Sequence, residues 1–466
     1  MSATNGRRVV VMGGGIAGLS AALLLARGGL RVTLLERDQA PPRDLADMWH
    51  WNRPGAPQMR QLHTFLGLFR KELRARLSDV YEDLLAHGVE DISVATPSGT
   101  GGGDPDLAVL AARRPVVEWA LHRALVREAG VELRYGTSVR RADVAGGRIR
   151  GVHVRGGLLE ADVLIDAAGR RSPLREDFTR LEQEVECGVV YNTRFFRLRE
   201  GVARPALQRG VTSMVAGVGF GAGLFYHDNR TFAIGLARLP DDDSLKALRD
   251  TESFDRAAGL FPEFAPWLAG EVSEPVTEVV PMAGLRNCLR SLTEQAPAGY
   301  FVLGDALCTT DPAFGRGASV ALHGAARLAD AFAQAPDDLP GLAPEVTAQA
   351  LSWVRPLFDD SVQADIARTR LWEAALSGAP VPAAPGVPSV NPFLLVEAGE
   401  RDPVLWQAAQ RCVNLLEPLE SLDVPEIRQR LQAVWASGWR PAAPAAPSHA
   451  EVAEAVALGR RVFQNQ

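Results

Sequence analysis

Residues 8–18 read RVVVMGGGIAG, a run of apolar residues followed by closely spaced glycines. An unbroken β-branched run is typical of a strand that is buried on both faces of a sheet. Gly13, Gly15 and Gly18 then stand at the G-x-G-x-x-G spacing. In that motif the first glycine permits a tight turn, the second lets a pyrophosphate approach the backbone, and the third lets the helix lie close to the strand. The segment therefore predicts a strand, a turn and a phosphate-attracting helix start.

The next apolar stretch supports a dinucleotide site. Residues 31–35 read RVTLL and lead into Glu36 and Arg37. Glu36 follows the glycines by about twenty residues, the position from which a carboxylate grips ribose hydroxyls. The sequence therefore predicts a nucleotide-binding site that is lined by Gly13, Gly15, Ala17, Gly18, Glu36 and Arg37.

A second segment lies nearly three hundred residues downstream. Residues 300–306 read YFVLGDA, a strand with Asp305 at its carboxyl end, where α/β sheets place ligands. Residues 311–317 read DPAFGRG and lead into a predicted helix over 318–332, whose start carries positive dipole charge beside Gly315 and Gly317. Asp305 can accept a hydrogen bond from a ribityl hydroxyl, and the helix start can face a flavin pyrimidine. The two segments together predict FAD.

With both motifs in place, the sequence resembles the FAD-dependent monooxygenase superfamily, which has a para-hydroxybenzoate-hydroxylase-like fold. Its relatives include squalene-epoxidase-like enzymes and flavin-dependent halogenases. Residues 114–121 (RPVVEWAL) are similar to the family's R-x-x-L-E segment, which implies that Arg114 touches FAD. Residues 166–175 (DAAGRRSPLR) resemble the family's Asp-Gly motif, which serves FAD and NAD(P)H, although here the glycine does not directly follow Asp166.

The resemblance implies an α/β (α+β) fold with three parts. A Rossmann-like FAD-binding domain would be discontinuous, over residues 1–184 and 286–335. A β-sheet substrate-binding domain would be inserted at 185–285, where short aromatic segments alternate in a strand-like way. A helical C-terminal region would follow at 336–466.

The most suggestive catalytic stretch is residues 54–65 (PGAPQMRQLHTF), which resembles the P-Q-x-R-x-x-H segment of a bacterial subset of these flavoproteins. Apolar residues at helical spacing predict a helix over 62–77. Arg60 and His63 are three apart and would face one side of the first turn. Arg60 would bind an anionic substrate or flavin intermediate, and His63 would relay protons near neutral pH. The alternative is a helix-capping arginine and a structural histidine.

Halogenation is not expected. Residues 49–54 (WHWNRP) resemble the halogenase signature W-x-W-x-I-P, but Arg53 replaces the isoleucine and the segment lies in the first crossover. The histidines are scattered and the four cysteines are widely spaced, so the sequence predicts no metal site and no hydrolase triad.

The composition limits the classes of partner that the protein is expected to bind. The 466-residue chain has a net charge of −6 and no Lys/Arg tract, which argues against nucleic-acid binding. No apolar run approaches membrane-spanning length, and the polar N-terminus resembles no secretory signal. We therefore expect a cytoplasmic protein without a membrane span; the sequence does not predict an oligomeric state.

The function these features predict is an FAD-dependent monooxygenase. It would insert one oxygen atom from O₂ into a hydrophobic organic substrate, by hydroxylation or epoxidation, through a flavin C4a-hydroperoxide. Secondary metabolism is the expected setting. Electrons would come from NADPH, from NADH or from a separate flavin reductase. Two alternatives remain: an FAD-dependent dehydrogenase or reductase without oxygen insertion, and a non-redox cyclase that uses FAD as a scaffold.

Overall fold

The computed structural model describes residues 6–96, 104–208, 210, 212–335, 338–379, 390–441 and 445–464, with side chains up to residue 459. Its strands are β1 (Arg8–Met12), β2 (Arg31–Glu36), β3 (Glu90–Ser93), β4 (Ala108–Ala111), β5 (Val131–Tyr135), β6 (Arg141–Ala145), β7 (Arg148–Val154), β8 (Gly157–Glu160), β9 (Val163–Asp166), β10 (Thr179–Glu186), β11 (Val190–Leu198), β12 (Thr212–Ala216), β13 (Phe220–Tyr226), β14 (Thr231–Arg238), β15 (Ser273–Pro275), β16 (Val280–Met282), β17 (Arg286–Leu292), β18 (Tyr300–Val302) and β19 (Cys308–Thr309). Its α-helices are α1 (Ile16–Arg27), α2 (Gly67–Arg76), α3 (Ser78–Ala86), α4 (Arg114–Val126), α5 (Arg175–Phe178), α6 (Thr251–Ala258), α7 (Ala265–Leu268), α8 (Gly317–Gln334), α9 (Leu339–Ser377), α10 (Pro392–Ala398), α11 (Pro403–Val413), α12 (Pro425–Ala436) and α13 (His449–Gln464).

A parallel sheet in the order β18-β9-β1-β2-β5 organises the first part of the fold. Alternate residues of β1 enter different cores: Val9 and Val11 pack on one face with α1, α4 and α8, and Val10 and Met12 pack on the other. The strand is thus buried on both faces, as its apolar run predicts. The α/β fold class is confirmed, and the carboxyl ends of β1, β2, β9 and β18 meet at one edge.

An antiparallel sheet in the order β12-β13-β14-β11-β15, with β16 also paired to β11, forms a second layer. Its core holds Phe196, Phe232 and Trp267, together with Phe254 from α6. Smaller antiparallel sheets are β10-β17-β19, β6-β7-β8 and β3-β4. Residues 184–186 of β10 pair with residues 286–288 of β17, on both sides of the predicted domain limits at 185 and 285. Those limits stay a prediction.

The C-terminal region is helical, as expected, and its longest helix is built into the rest of the protein. The 39-residue helix α9 packs against α8, β17, β18 and β19. The last helix, α13, packs on α6 beside the antiparallel sheet. Among the described residues, no helix combines the length and the apolar character that a bilayer crossing requires.

The predicted helix over 62–77 is wrong in its first part. A short 3₁₀ turn covers Pro57–Arg60, and α2 begins only at Gly67. Between them the backbone of Phe65 exchanges two hydrogen bonds with Leu110, at 3.3 and 2.9 Å. The tertiary bridge overrides the helical spacing of the apolar residues, so this stretch is extended.

Candidate cofactor site and its junction with the antiparallel sheet

Two glycines of the fingerprint are required by the fold itself. Gly13 has φ +107°, and a Cβ there would overlap the carbonyl oxygen of Ala167. A Cβ at Gly18 would overlap the carbonyl oxygen of Gly13. These two positions let β1, the turn and α1 pack closely, whether or not a ligand is present.

Two other glycines are not required by the protein. Gly15 has φ −85°, and its nearest neighbour to an added Cβ is Nη2 of Arg114, at 3.6 Å. An added Cβ at Gly317, the first residue of α8, would meet no atom within 4 Å. Each lies at a helix start with open space where a side chain would be. Such positions fit a ligand that approaches the backbone and its N–H groups.

Asp305 follows Gly304, which lies close to Ala17 of α1 and to Ala321 of α8. It follows β18 in a short 3₁₀ turn, where Gly304 has φ +59° and a Cβ would lie 3.0 Å from that of Ala17. In the described part of the chain, no group donates a hydrogen bond to the Asp305 carboxylate. Burial raises the pKa of Asp305, an effect opposed by the charges of Arg114 and Arg170. A half-buried carboxylate without a donor fits a ribityl hydroxyl.

Arg114 lies where the family resemblance implies. It opens α4, and its Nε donates to Oε1 of Glu118 at 2.8 Å. Its Nη2 flanks Gly15, beside the space described above. The open glycines, the unpaired Asp305 carboxylate and Arg114 together fit the pyrophosphate and ribityl parts of FAD. The cofactor roles of the individual residues, Gly315 included, stay predictions.

Arg53 is a charged residue of this site that sequence reasoning missed. Its side chain is 3% exposed, and its Nη1 donates to the carbonyl oxygen of Gly14 at 3.0 Å. Its Nη2 donates to Oε2 of Glu36 at 2.6 Å, and it also pairs with Glu118. Asp38 adds a third carboxylate, with Oδ2 3.6 Å from Nε. Arg53 therefore holds the glycine turn and the end of β2 from the crossover segment.

Glu36 and Arg37 differ in their surroundings. Glu36 is buried, and its carboxylate accepts the N–H of Gly14 at 2.6 Å and that of Asp38 at 2.8 Å. Oε2 also accepts from Arg53 and has both lone pairs in use, but Oε1 keeps a second lone pair, so the predicted ribose contact is still chemically open through that oxygen. Arg37 is exposed, and its guanidinium lies beside Gly55.

Asp166 has an internal role. It is fully buried and accepts hydrogen bonds from the Ser172 hydroxyl, from the Tyr300 hydroxyl at 2.9 Å and from the Ala168 N–H at 3.1 Å. Burial raises the pKa of Asp166, and these donors oppose the rise. With both oxygens engaged, the carboxylate holds the turn after β9 and has no free face for a nicotinamide nucleotide.

Arg60 and His63 do not share a helical turn, so that expectation is wrong. Arg60 is exposed at the end of the 3₁₀ turn, and His63 lies in the extended stretch that follows. His63 Nδ1 lies 2.9 Å from the carbonyl oxygen of Gln61. Burial, and then the charge of Arg114, lower the pKa of His63 to about 4. His63 is therefore neutral near pH 7, which does not suit the predicted proton relay.

The crossover segment also touches the antiparallel sheet. The ring of Trp49 meets that of Phe195 on β11 edge-on, with centroids 5.5 Å apart. The guanidinium of Arg113 lies 4.1 Å from the Trp49 centroid and forms a buried pair with Asp228, Nη2 to Oδ2 at 2.6 Å. The segment that resembles a halogenase signature thus lies at the junction between the two sheets.

His227 lies in the same junction and makes the fold sensitive to acid. Its Nε2 is 3.3 Å from the amide nitrogen of His63 and 3.1 Å from its carbonyl oxygen, and burial is the main cause that lowers its pKa to about 3. Below pH 6.5 the unfolded chain binds a proton at His227 that the folded chain does not, so stability falls as pH falls from 6.5 towards 3.

We expect His227→Gln to reduce this pH dependence by about 1.4 kcal/mol per pH unit between pH 6 and 4. Urea unfolding at several pH values measures the slope. His50→Gln, at an exposed histidine, is the control and should match the wild-type slope. Equal slopes for His227→Gln and the wild type would contradict a neutral buried His227.

Part of the chain matches a known protein family. Residues 8–170 match a family model described as FAD dependent oxidoreductase. The fold is shared with PqsL, a probable FAD-dependent monooxygenase from Pseudomonas aeruginosa, at a TM-score of 0.59 and 18% identity, covering 80% of this chain and 98% of PqsL. It is also shared with the myxobacterial chondrochloren halogenase CndH, at a TM-score of 0.59 and 18% identity, covering 97% and 96%. Residues 8–170 are thus similar to FAD-dependent oxidoreductases, and the fold is the one found in this probable FAD-dependent monooxygenase and this halogenase.

Two sequence relatives are each 26% identical to this chain. Protein Rv3254 of Mycobacterium tuberculosis is 26% identical over 444 residues, which cover 88% of this chain and 90% of the relative. A probable electron transfer flavoprotein-quinone oxidoreductase, YgcN of Escherichia coli, is 26% identical over 363 residues, which cover 70% and 76%. The names of these four proteins thus include a probable monooxygenase, a halogenase and a probable quinone oxidoreductase.

Proposed function

We propose that the protein is an FAD-dependent monooxygenase that inserts one oxygen atom into a small, hydrophobic organic substrate. The observation that carries this proposal is the junction beside the cofactor edge, where the buried His227 ring contacts the backbone of His63 and Arg113 is paired with the buried Asp228. A packed junction of this kind would help to exclude water from the reacting atoms, which supports oxygen insertion. The fold shared with monooxygenases supports the same function.

The chain's own residues would bind the cofactor, orient it and exclude water. The helix starts at Gly15 and Gly317 offer N–H groups and positive dipole ends to negatively charged parts of the cofactor. Asp305 orients the ribityl chain, and Arg114 faces the pyrophosphate. The bound flavin supplies the electron transfer and the activation of O₂. The aromatic side chains of the antiparallel sheet favour a hydrophobic substrate, whether it is hydroxylated or epoxidised.

The electron source belongs to the same proposal. Since Asp166 is used internally, we favour reduction by a separate flavin reductase over tight binding of NADPH or NADH. Location in the cytoplasm and a role in secondary metabolism also remain part of the proposal.

A second candidate is an FAD-dependent dehydrogenase or reductase. It is favoured by the 26% identity to YgcN, whose name describes a quinone oxidoreductase. The two candidates share every nucleotide contact and differ in what reduced flavin does with oxygen.

Rapid mixing separates them. The FAD-loaded protein is reduced anaerobically, first with NADH or NADPH and then, if these fail, with dithionite, and is mixed with oxygenated buffer. We expect a transient flavin species whose absorbance differs from both the reduced and the oxidised flavin. Direct return to oxidised flavin, with no transient in the presence or absence of candidate substrates, would favour the dehydrogenase or reductase.

A further inference from the structure

The long helix α9 is fastened to both ends of residues 311–317, which we call the flavin-facing loop. At the first end, Nη1 of Arg368 donates to Oδ2 of Asp311 at 2.9 Å. At the other end, Nη1 of Arg316 donates to the carbonyl oxygen of Leu357 at 2.8 Å, and Arg316 also pairs with Asp360. The loop that leads into α8 is thus held at two points by one helix of the C-terminal region.

Asp311 is the hub of the first attachment. It is fully buried, and its N–H donates to Oδ1 of Asn287 at 2.9 Å and to Oγ of Ser361 at 3.1 Å. Its Oδ1 accepts the Tyr191 hydroxyl at 2.7 Å and the Ala313 N–H at 2.9 Å. These bonds join β11, β17 and α9 at one aspartate. A shift of α9 therefore cannot leave the loop unchanged.

A second carboxylate shares the same arginine. Asp365 is 1% exposed; its Oδ1 lies 2.9 Å from Nη2 of Arg368, and its Oδ2 accepts Nδ2 of Asn287 at 2.7 Å. Burial, and then the charge of Asp311, raise the pKa of Asp365 to about 7. The groups that surround it are Asp311, Arg368, Asn287, Tyr191 and Cys187. Burial raises the pKa of the Cys187 thiol.

The contacts of Arg368 argue against a metal site in the cluster of Cys187, Asp311 and Asp365. The thiol of Cys187 and the carboxylates of Asp311 and Asp365 lie within 4.8 Å of one another. However, the Arg368 guanidinium already contacts both carboxylates and supplies the positive charge there.

We propose that Arg368 is a positioning residue that acts through Asp311 to fix the flavin-facing loop, and that α9 thereby sets the affinity for FAD and its reduction potential. The inference rests on the proposed function only in placing FAD against the start of α8. When the flavin-facing loop is fixed, the N–H groups at the start of α8 stay directed at the flavin ring. That ring becomes negatively charged on reduction. Ionisation of Asp365 adds a negative charge behind the loop and works against that effect.

The test compares Arg368→Met with Arg370→Met, a matched change at an exposed arginine two residues along α9. FAD affinity is measured by titration of flavin-stripped protein, and the reduction potential by equilibration with a reference dye. We expect Arg368→Met to weaken FAD binding at least tenfold and to lower the potential, while Arg370→Met behaves as the wild type.

Asp365→Asn is a second variant, which is used if Arg368→Met does not fold. It preserves the shape of the Asp365 side chain and removes its negative charge. The wild type should bind FAD more weakly as pH rises through about 7, where Asp365 ionises, and Asp365→Asn should show no such step. Wild-type behaviour of both Arg368→Met and Asp365→Asn overturns the inference and leaves the proposed function standing. A wild-type protein that binds no FAD overturns the proposed function first.

Discussion

Arg53→Met is expected to abolish the retention of FAD and to destabilise the protein by about 3–5 kcal/mol, the cost of breaking a buried ion pair by removing one partner. The substitution leaves Glu36, Asp38 and Glu118 without their shared cation, since the Arg53 side chain is only 3% exposed among them. It also frees the carbonyl oxygen of Gly14 in the middle of the glycine turn. The phosphates of FAD would then approach Glu36 and Asp38 without a compensating cation, while Glu118 keeps its pair with Arg114.

Flavin content after purification and urea unfolding of the flavin-free proteins measure both effects. Arg127→Met, at an exposed arginine, is the control. Arg53→Lys keeps the positive charge but not the forked geometry of the guanidinium. It should therefore recover only part of the FAD retention and part of the stability. Wild-type FAD affinity in Arg53→Met would contradict the role given to Arg53.

The second large effect separates the two kinds of glycine in the fingerprint. Gly15→Ala should fold normally, because the added Cβ meets Nη2 of Arg114 at an ordinary 3.6 Å. It should weaken FAD binding on the order of 100-fold, about 3 kcal/mol, because the methyl group occupies the path of the pyrophosphate. Gly18→Ala should instead fail to accumulate as folded protein, because its Cβ overlaps the Gly13 carbonyl oxygen.

Thermal unfolding of the flavin-free proteins and FAD titration distinguish the two substitutions. A Gly15→Ala protein that is as unstable as Gly18→Ala would show that this glycine serves packing. Undiminished FAD binding by Gly15→Ala would show that the pyrophosphate lies elsewhere.

The parallel sheet could be predicted from sequence because its signals are local. The β-branched run of β1 and the glycines that follow determine a strand, a turn and a helix within about twenty residues. The acids that end β2 and β18 sit at the carboxyl edge because every strand of this sheet is parallel. Local pattern and tertiary structure agree in this part of the chain.

The remaining features of the site depend on contacts between residues that are distant in sequence. Arg53 contacts residues 17, 39 and 65 positions away, so no spacing rule identifies its role. Its one sequence signal was a mismatch, an arginine where a resembling signature has isoleucine. The stretch around His63 has helical spacing, yet its backbone pairs with Leu110, and pairing of this kind cannot be read from one segment alone. Likewise, nothing near Asp311 in sequence indicates Arg368.

Isotope labelling distinguishes oxygen insertion from dehydrogenation. The FAD-loaded protein is reduced, supplied with ¹⁸O₂ and incubated with a panel of small hydrophobic aromatic and alkene compounds, and the products are analysed by mass spectrometry. We expect a product that carries a single ¹⁸O atom and that forms only with reduced flavin. A product that is two electrons more oxidised but carries no label would contradict oxygen insertion and identify a dehydrogenase.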